Sequence, residues 1–189
     1  MNEIVLASNN VGKLAEYRAM LSGYNVITPK DLNIKLDVEE TGNTFYDNAL
    51  LKAKALFELC GKPSMADDSG LCVDVLGGAP GVFSARYSGG NDDDNINKLL
   101  AKLRGEQNRT AHFECCIVYY DGKDIISATG KAYGHITEAK DGDGGFGYDP
   151  VFFSDDLNKT FGRASEEEKN TISHRARALR AFLDSLLLG

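Results

Sequence analysis

The adjacent acids Asp67-Asp68, followed by Ser69-Gly70 and set between apolar segments at Met65-Ala66 and Leu71 to Val75, have the clearest capacity for chemistry. Solvation at such a strand end is partial, and neighbouring carboxylates raise each other's proton affinity. A bound cation or a catalytic use makes that tolerable. A carboxylate in this setting can hold a metal, and can orient and deprotonate a water for attack on phosphorus. An acidic turn with Gly70 at positive φ accounts for the same residues without chemistry. Glu39-Glu40-Thr41-Gly42 offers a second acidic pair, ahead of a helical segment that carries Asn48 and Lys52. The pair could give Mg²⁺ a hard oxygen ligand or simply complement a helix dipole. Lys52, two turns into that helix, could reach a bound phosphate.

Ser8-Asn9-Asn10-Val11-Gly12-Lys13 joins an apolar run to a helical pattern. Backbone N–H groups at a helix start attract anions, and Lys13 adds a point charge. The segment is not a P-loop: the upstream glycine is missing and Leu14 stands where Ser or Thr belongs. Taken alone it equally describes a capped helix with a solvated lysine. The stretch from Gly142 to Pro150 is richer. Its Asp-Gly-Asp-Gly opening hints at a calcium loop, but Gly145 replaces the third ligand and no glutamate closes the site. Glycines around Phe146 and Tyr148 suit a loop that lets a flat ring approach the backbone and stack on an aromatic face. Glu168-Lys169 precedes Ser173-His174-Arg175, which opens the last helical pattern with Ser173 as a cap. Basic residues in a first turn oppose the helix dipole, so an anionic or oxygen-rich partner is needed to explain His174 and Arg175. His112 and His135 lie in strand patterns and read as structural.

The elements that must position these groups alternate. A strand at Ile4 to Ala7, a helix over Val11 to Leu21 and a strand at Val26-Ile27 open the chain. Thr44 to Cys60 is a helix with Phe45, Ala49, Leu50, Ala53 and Leu56-Phe57 on one face, stopped by Gly61. Asp92 to Leu103 is another. Ala111 to Tyr120 and Ile125 to Thr137 form a hairpin around Asp121-Gly122. Ser173 to Leu188 closes the chain as a helix. Helices and strands that alternate, followed by a hairpin, imply an α/β fold on a mixed sheet.

The 189 residues suit one domain, or one domain in two lobes; 42% hydrophobic and 26% charged is the balance of a globular chain. No apolar stretch is long enough to span a bilayer, and the acidic start reads as a strand and not a signal peptide, implying a cytoplasmic location. Cys60, Cys72, Cys115 and Cys116 lack C-x-x-C spacing and read as small buried hydrophobes. A net charge of −7 argues against a nucleic-acid partner. An anionic ligand would need locally concentrated cations or a metal.

In order along the chain, these segments resemble the inosine triphosphate pyrophosphatase family, whose members hydrolyse deaminated purine nucleotides such as dITP, ITP and XTP. The matching pieces are Ser8 to Lys13, Glu39 to Gly42 with Thr44-Phe45 and Asn48-Ala49, Ala66 to Leu71, Pro80-Gly81-Val82 with Ser84 to Tyr87, Gly145 to Phe152, and Ser173 to Arg175 with Ala178-Leu179. Ser8-Asn9 stands where many members have Thr-Gly, and Asp47 where glutamate is common. The resemblance covers essentially the whole chain, as a single pyrophosphatase domain. It implies a two-lobed α/β fold on a long mixed sheet flanked by helices, with the active-site cleft between the lobes, in a homodimer; that no membrane or nucleic-acid partner is expected follows from hydropathy and charge. It also implies roles. Ser8, Asn9, Asn10, Val11, Gly12 and Lys13, helped by Lys52, would hold phosphates. Glu39 and Asp68, with Glu40 and Asp67 as neighbours, would hold Mg²⁺, and Asp68 would take the proton of the attacking water with Ser69 near the substrate. Phe146 would stack on the purine, in the loop with Gly147 and Tyr148. Asp149, Lys169, His174 and Arg175 would surround base and sugar, Arg175 donating to a purine 6-oxygen where a 6-amino group offers no acceptor.

Overall fold

A computed structural model describes residues 2–187; Leu188, the expected end of the last helix, lies outside them. Strand β1 (Asn2–Leu6) leads into helix α1 (Val11–Met20) and strand β2 (Tyr24–Ile27). Asn10 starts α1 because its side chain accepts the Lys13 N–H at 2.9 Å, satisfying one of the free donors of the first turn. Helix α2 (Phe45–Cys60) is capped by Thr44 and stopped by Gly61 at φ 65°, a left-handed position that a Cβ would strain. Helix α3 (Asp92–Lys102) carries a reciprocal capping box between Asn91 and Asp94.

One expectation fails here. Asp67 to Gly70 is not a turn: it lies inside a continuous strand, β3 (Ser64–Val73), buried along most of its length. Ladder hydrogen bonds come from the backbone and tolerate any side chain, and cations from distant segments meet the acids. Local sequence therefore hides the strand. Strands β4 (Thr110–Tyr120) and β5 (Ile125–Ile136) are joined by only four residues, so they run antiparallel, as the hairpin signal implies. Strands β6 (Phe152–Ser154) and β7 (Lys159–Thr160) were not expected, being too short to show a period. Helix α4 (Glu166–Ile172) was also missed, though Ser165 and Glu168 form its capping box and give the S-x-x-E signature. Ser173 separates α4 from helix α5 (His174–Leu187).

The sheet has seven strands in the order β2-β1-β3-β4-β5-β6-β7. Strand β1 is parallel to β2 and β3, and β6 is antiparallel to β5 and β7, so the sheet is mixed, as expected. The chain divides into two compact units. Unit 1 holds the residues up to Asp68, Cys115–Gly130 and those from Arg175 onward. Its core gathers Leu6, Tyr17, Leu21, Met65, Ile117, Leu179 and Phe182. Unit 2 is Ser69–Glu114 and Lys131–His174, around Leu71, Ile96, Leu99, Phe113, Val151, Phe152 and Phe161. No described helix is long and apolar enough to cross a membrane. The four cysteines are free; Cys115 and Cys116 are buried as expected, but Cys60 and Cys72 are only partly so.

Candidate active site

In unit 1, β3 delivers Asp67 and Asp68 side by side, and successive strand residues point to opposite faces. Each acid therefore meets its own partners. Oδ2 of Asp67 lies 3.0 Å from Lys13 Nζ, 3.4 Å from Arg175 Nε, and accepts from Cys115 Sγ at 3.6 Å. The other guanidinium edge of Arg175 pairs with Glu16. Burial alone would raise the proton affinity of Asp67, but Lys13, Arg175 and Lys52 outweigh it and hold the carboxyl well below its usual range. Its Oδ1 is buried with no hydrogen-bond partner among the described residues.

Asp68 shifts the other way. Burial raises its proton affinity and Glu40 adds to that, against Lys52, Lys13 and Asn48. Asn48 Nδ2 donates to Asp68 Oδ2 at 3.0 Å, while Asn48 Oδ1 accepts the Gly42 N–H at 2.8 Å. One buried amide thus ties the acidic loop to the strand. Gly42 is required there, since a Cβ would come within 2.5 Å of Asp47 Cβ. Lys52 Nζ sits 2.6 Å from Glu40 Oε1 and 3.7 Å from Asp68 Oδ1. Burial opposes the Lys52 ammonium, yet Asp68, Asp67 and Glu40 together raise its proton affinity.

Unit 1 therefore brings together Lys13, Lys52, Glu40, Asp67, Asp68 and Arg175. Of the acidic loop it is Glu40 that reaches Lys52, while Glu39 is exposed. Ser8 accepts from the Asn10 N–H at 3.3 Å, Asn9 donates to Leu36 O at 3.4 Å, and Val11 is 81% exposed beside Gly12 at the open start of α1. Carboxylate oxygens at Glu40 and Asp68, both met by Lys52, are hard donors of the kind a divalent cation takes. Two participants escaped sequence reasoning. The role of Asn48 was signalled by a polar residue on the apolar face of α2, but Glu16 gave no signal, because only the fold carries Arg175 to it. The basic opening of α5 thus finds its anionic partners inside the protein.

Unit 2 holds the second group. Asp149 Oδ2 accepts from Lys169 Nζ at 2.6 Å and from the Phe146 N–H at 2.9 Å. Gly145 is at φ 73°, and a Cβ there would meet Asp149 Oδ2 at 2.0 Å, so only glycine lets the loop close over the acid. Lys169 Nζ lies 4.6 Å from the Phe146 ring centroid, covering one face of it. Gly147 donates its N–H to Asp92 at 2.9 Å. Tyr148 is turned inward, its hydroxyl donating to Ser84 O at 2.7 Å, so its ring serves as a strut. His174 stacks on Phe113 with centroids 4.8 Å apart, and Ser69 is half-buried on β3.

Residues 4–185 match the sequence pattern of the Ham1 family. The chain is 49% identical over 183 residues to a dITP/XTP pyrophosphatase of Treponema denticola, covering 94% of each. Among solved structures it is similar to the Ham1 protein of Staphylococcus aureus, with TM-score 0.88, 43% identity and coverage of 100% of this chain and 99% of that one. It is also similar to a Ham1 protein from Coxiella burnetii, with TM-score 0.90, 37% identity and full coverage of both. With its whole length matched at both sequence and fold level, the chain belongs to the Ham1 family.

Proposed function

We infer that this chain is a nucleoside-triphosphate pyrophosphatase, a hydrolase that cuts dITP, ITP and XTP to the monophosphate and pyrophosphate. The observation that carries the reading is the Asp68 centre: a buried carboxylate aimed by Asn48, flanked by Glu40 and by two lysines suited to phosphate. The activity that names the Treponema denticola relative agrees with it.

In this reading the start of α1, from Ser8 to Lys13, and Lys52 neutralise the triphosphate. Glu39 and Asp68, with Glu40 and Asp67 as neighbours, would hold Mg²⁺, which when bound would supply positive charge against the phosphates. Asp68 accepts the proton of the attacking water. The water oxygen bonds to the α-phosphorus, and the bond from that phosphorus to the oxygen bridging it to the β-phosphorus breaks, its electron pair leaving on pyrophosphate. Ser69 contacts the substrate near this point. In unit 2 Phe146, with Lys169 against one face of its ring, stacks on the purine, while Gly147, Asp149 and His174 line base and sugar and Tyr148 braces the loop from inside. Arg175 offers donors to a 6-oxygen, and to do so must exchange one of its carboxylates, Glu16 or Asp67. The whole chain then acts as one catalytic domain, a cytoplasmic homodimer with no nucleic-acid or membrane partner, consistent with its net charge of −7.

Incubation with dITP and Mg²⁺, followed by product separation, tests the reaction. Pyrophosphate with dIMP is expected; orthophosphate with dIDP would overturn cleavage at the α–β linkage.

A further inference from the structure

The second face of unit 2's sheet carries a cluster that the hydrolytic reading does not use. Leu71 and Val73 on β3, Ala111 and Phe113 on β4, and Ala132 on β5 are buried in the core. Strand alternation turns the intervening residues Cys72, His112, Glu114, Lys131 and Tyr133 to the opposite face. There the thiol of Cys72, a ring nitrogen of His112 and a carboxylate oxygen of Glu114 all lie within 4.8 Å of one another. His112 Nε2 and Glu114 Oε2 are 3.5 Å apart, and both side chains are about four-fifths buried, at 19% and 22% exposure.

We propose that Cys72, His112 and Glu114 form a binding site for a borderline divalent cation of the zinc type, separate in chemistry from the oxygen-lined centre of unit 1. Sulfur, imidazole nitrogen and one carboxylate oxygen are the donors such ions select, and Mg²⁺ does not. Metal–ligand bonds of about 2.0–2.3 Å place tetrahedral donors about 3.3–3.8 Å apart. The His–Glu pair already has that spacing, and the farthest pair must close by no more than about 1.5 Å, within the reach of side-chain rotation. Two ligands two residues apart on one strand, with the third on its neighbour, give a rigid platform. His112 is further steadied against the Tyr133 ring, centroids 5.7 Å apart.

Lys131 is the resident counter-charge. Its ammonium lies 3.0 Å from Glu114 Oε2, on a side chain 40% exposed. Metal and Lys131 therefore compete for Glu114, which makes Lys131 a diagnostic. Burial, with Glu114 next, pushes the Cys72 thiol up to about 11, so binding must also displace its proton.

Titration of the full-length protein with Co²⁺, in excess Mg²⁺ to occupy the oxygen site, tests the assignment by absorption spectroscopy. The wild type is expected to show a saturable thiolate-to-cobalt charge-transfer band. That band is lost in Cys72→Ser, retained in Cys60→Ser, weakened at least tenfold in apparent affinity by His112→Ala, and strengthened several-fold by Lys131→Met. No saturable band in the wild type, a band that survives Cys72→Ser, or affinity unchanged by both His112→Ala and Lys131→Met would overturn it.

Discussion

Each unit buries a lysine–aspartate pair, and the two pairs differ in how their charge is balanced. In unit 2, Lys169 and Asp149 pair with side chains 6% and 3% exposed, closed over by a backbone N–H and the Phe146 ring. In unit 1, four carboxylates, Glu16, Glu40, Asp67 and Asp68, share three cations, Lys13, Lys52 and Arg175. Among these seven groups the acids outnumber the bases, and one oxygen of Asp67 has no hydrogen-bond partner among the described residues. A balanced pair under an aromatic ring suits an uncharged base. An acid-rich centre with displaceable lysines suits a cation and a polyanion together. Asp67 is in ion-pair contact with Lys13 of α1 and Arg175 of α5, whereas burial is the largest influence on Asp68 and prevails there, so the two carboxyls shift in opposite directions.

Charge balance can be broken at either place. The largest effect is expected at the surplus: Asp68→Asn removes the proton acceptor and should lower kcat by roughly 10³-fold, within the range general-base losses take, while circular dichroism stays unchanged. Turnover near the wild-type level would take Asp68 out of the chemistry. Next, Lys169→Met removes the ammonium that donates to buried Asp149 at 2.6 Å and should destabilise the fold by about 3–5 kcal/mol in denaturant titration. Lys13→Met leaves Asp67 with Arg175 and should cost clearly less stability, while lowering kcat/KM for the triphosphate. Equal stability losses in the two variants would erase the contrast between the units.

The smallest effect is in the pH profile. A raised Asp68 carboxyl is protonated, and so unable to accept a proton, at a pH where ordinary carboxylates are still charged. The acid limb of kcat/KM is therefore expected above the usual carboxylate range near about 4, and is expected to vanish from the residual rate of Asp68→Asn. Asp67 runs opposite: its depressed proton affinity makes its ion pairs contribute stability above the unfolded carboxyl value, lost only as pH falls below it. An acid limb unchanged in Asp68→Asn would assign it to another group.

Much of this was written locally. The helix from Phe45 to Cys60 announced itself through a stripe of apolar residues, a threonine cap and a glycine stop, all within one segment. The hairpin of β4 and β5 was equally plain. Asp67 to Gly70 misled because acids and a glycine imitate a turn when their partners are out of view. The short β6 and β7 carry too few residues for any period to show.

By itself the sequence determined which groups are present, which helices and strands most segments adopt, and, through ordered motifs, the family. Only the tertiary structure decided that Glu40 reaches Lys52, that Arg175 is met by Glu16 and Asp67, and that Cys72 lies beside His112. The reason is physical. Backbone propensities and caps act over a few neighbouring residues, whereas a buried charge or a donor cluster is completed by residues far along the chain, whose approach depends on how strands are ordered in the sheet.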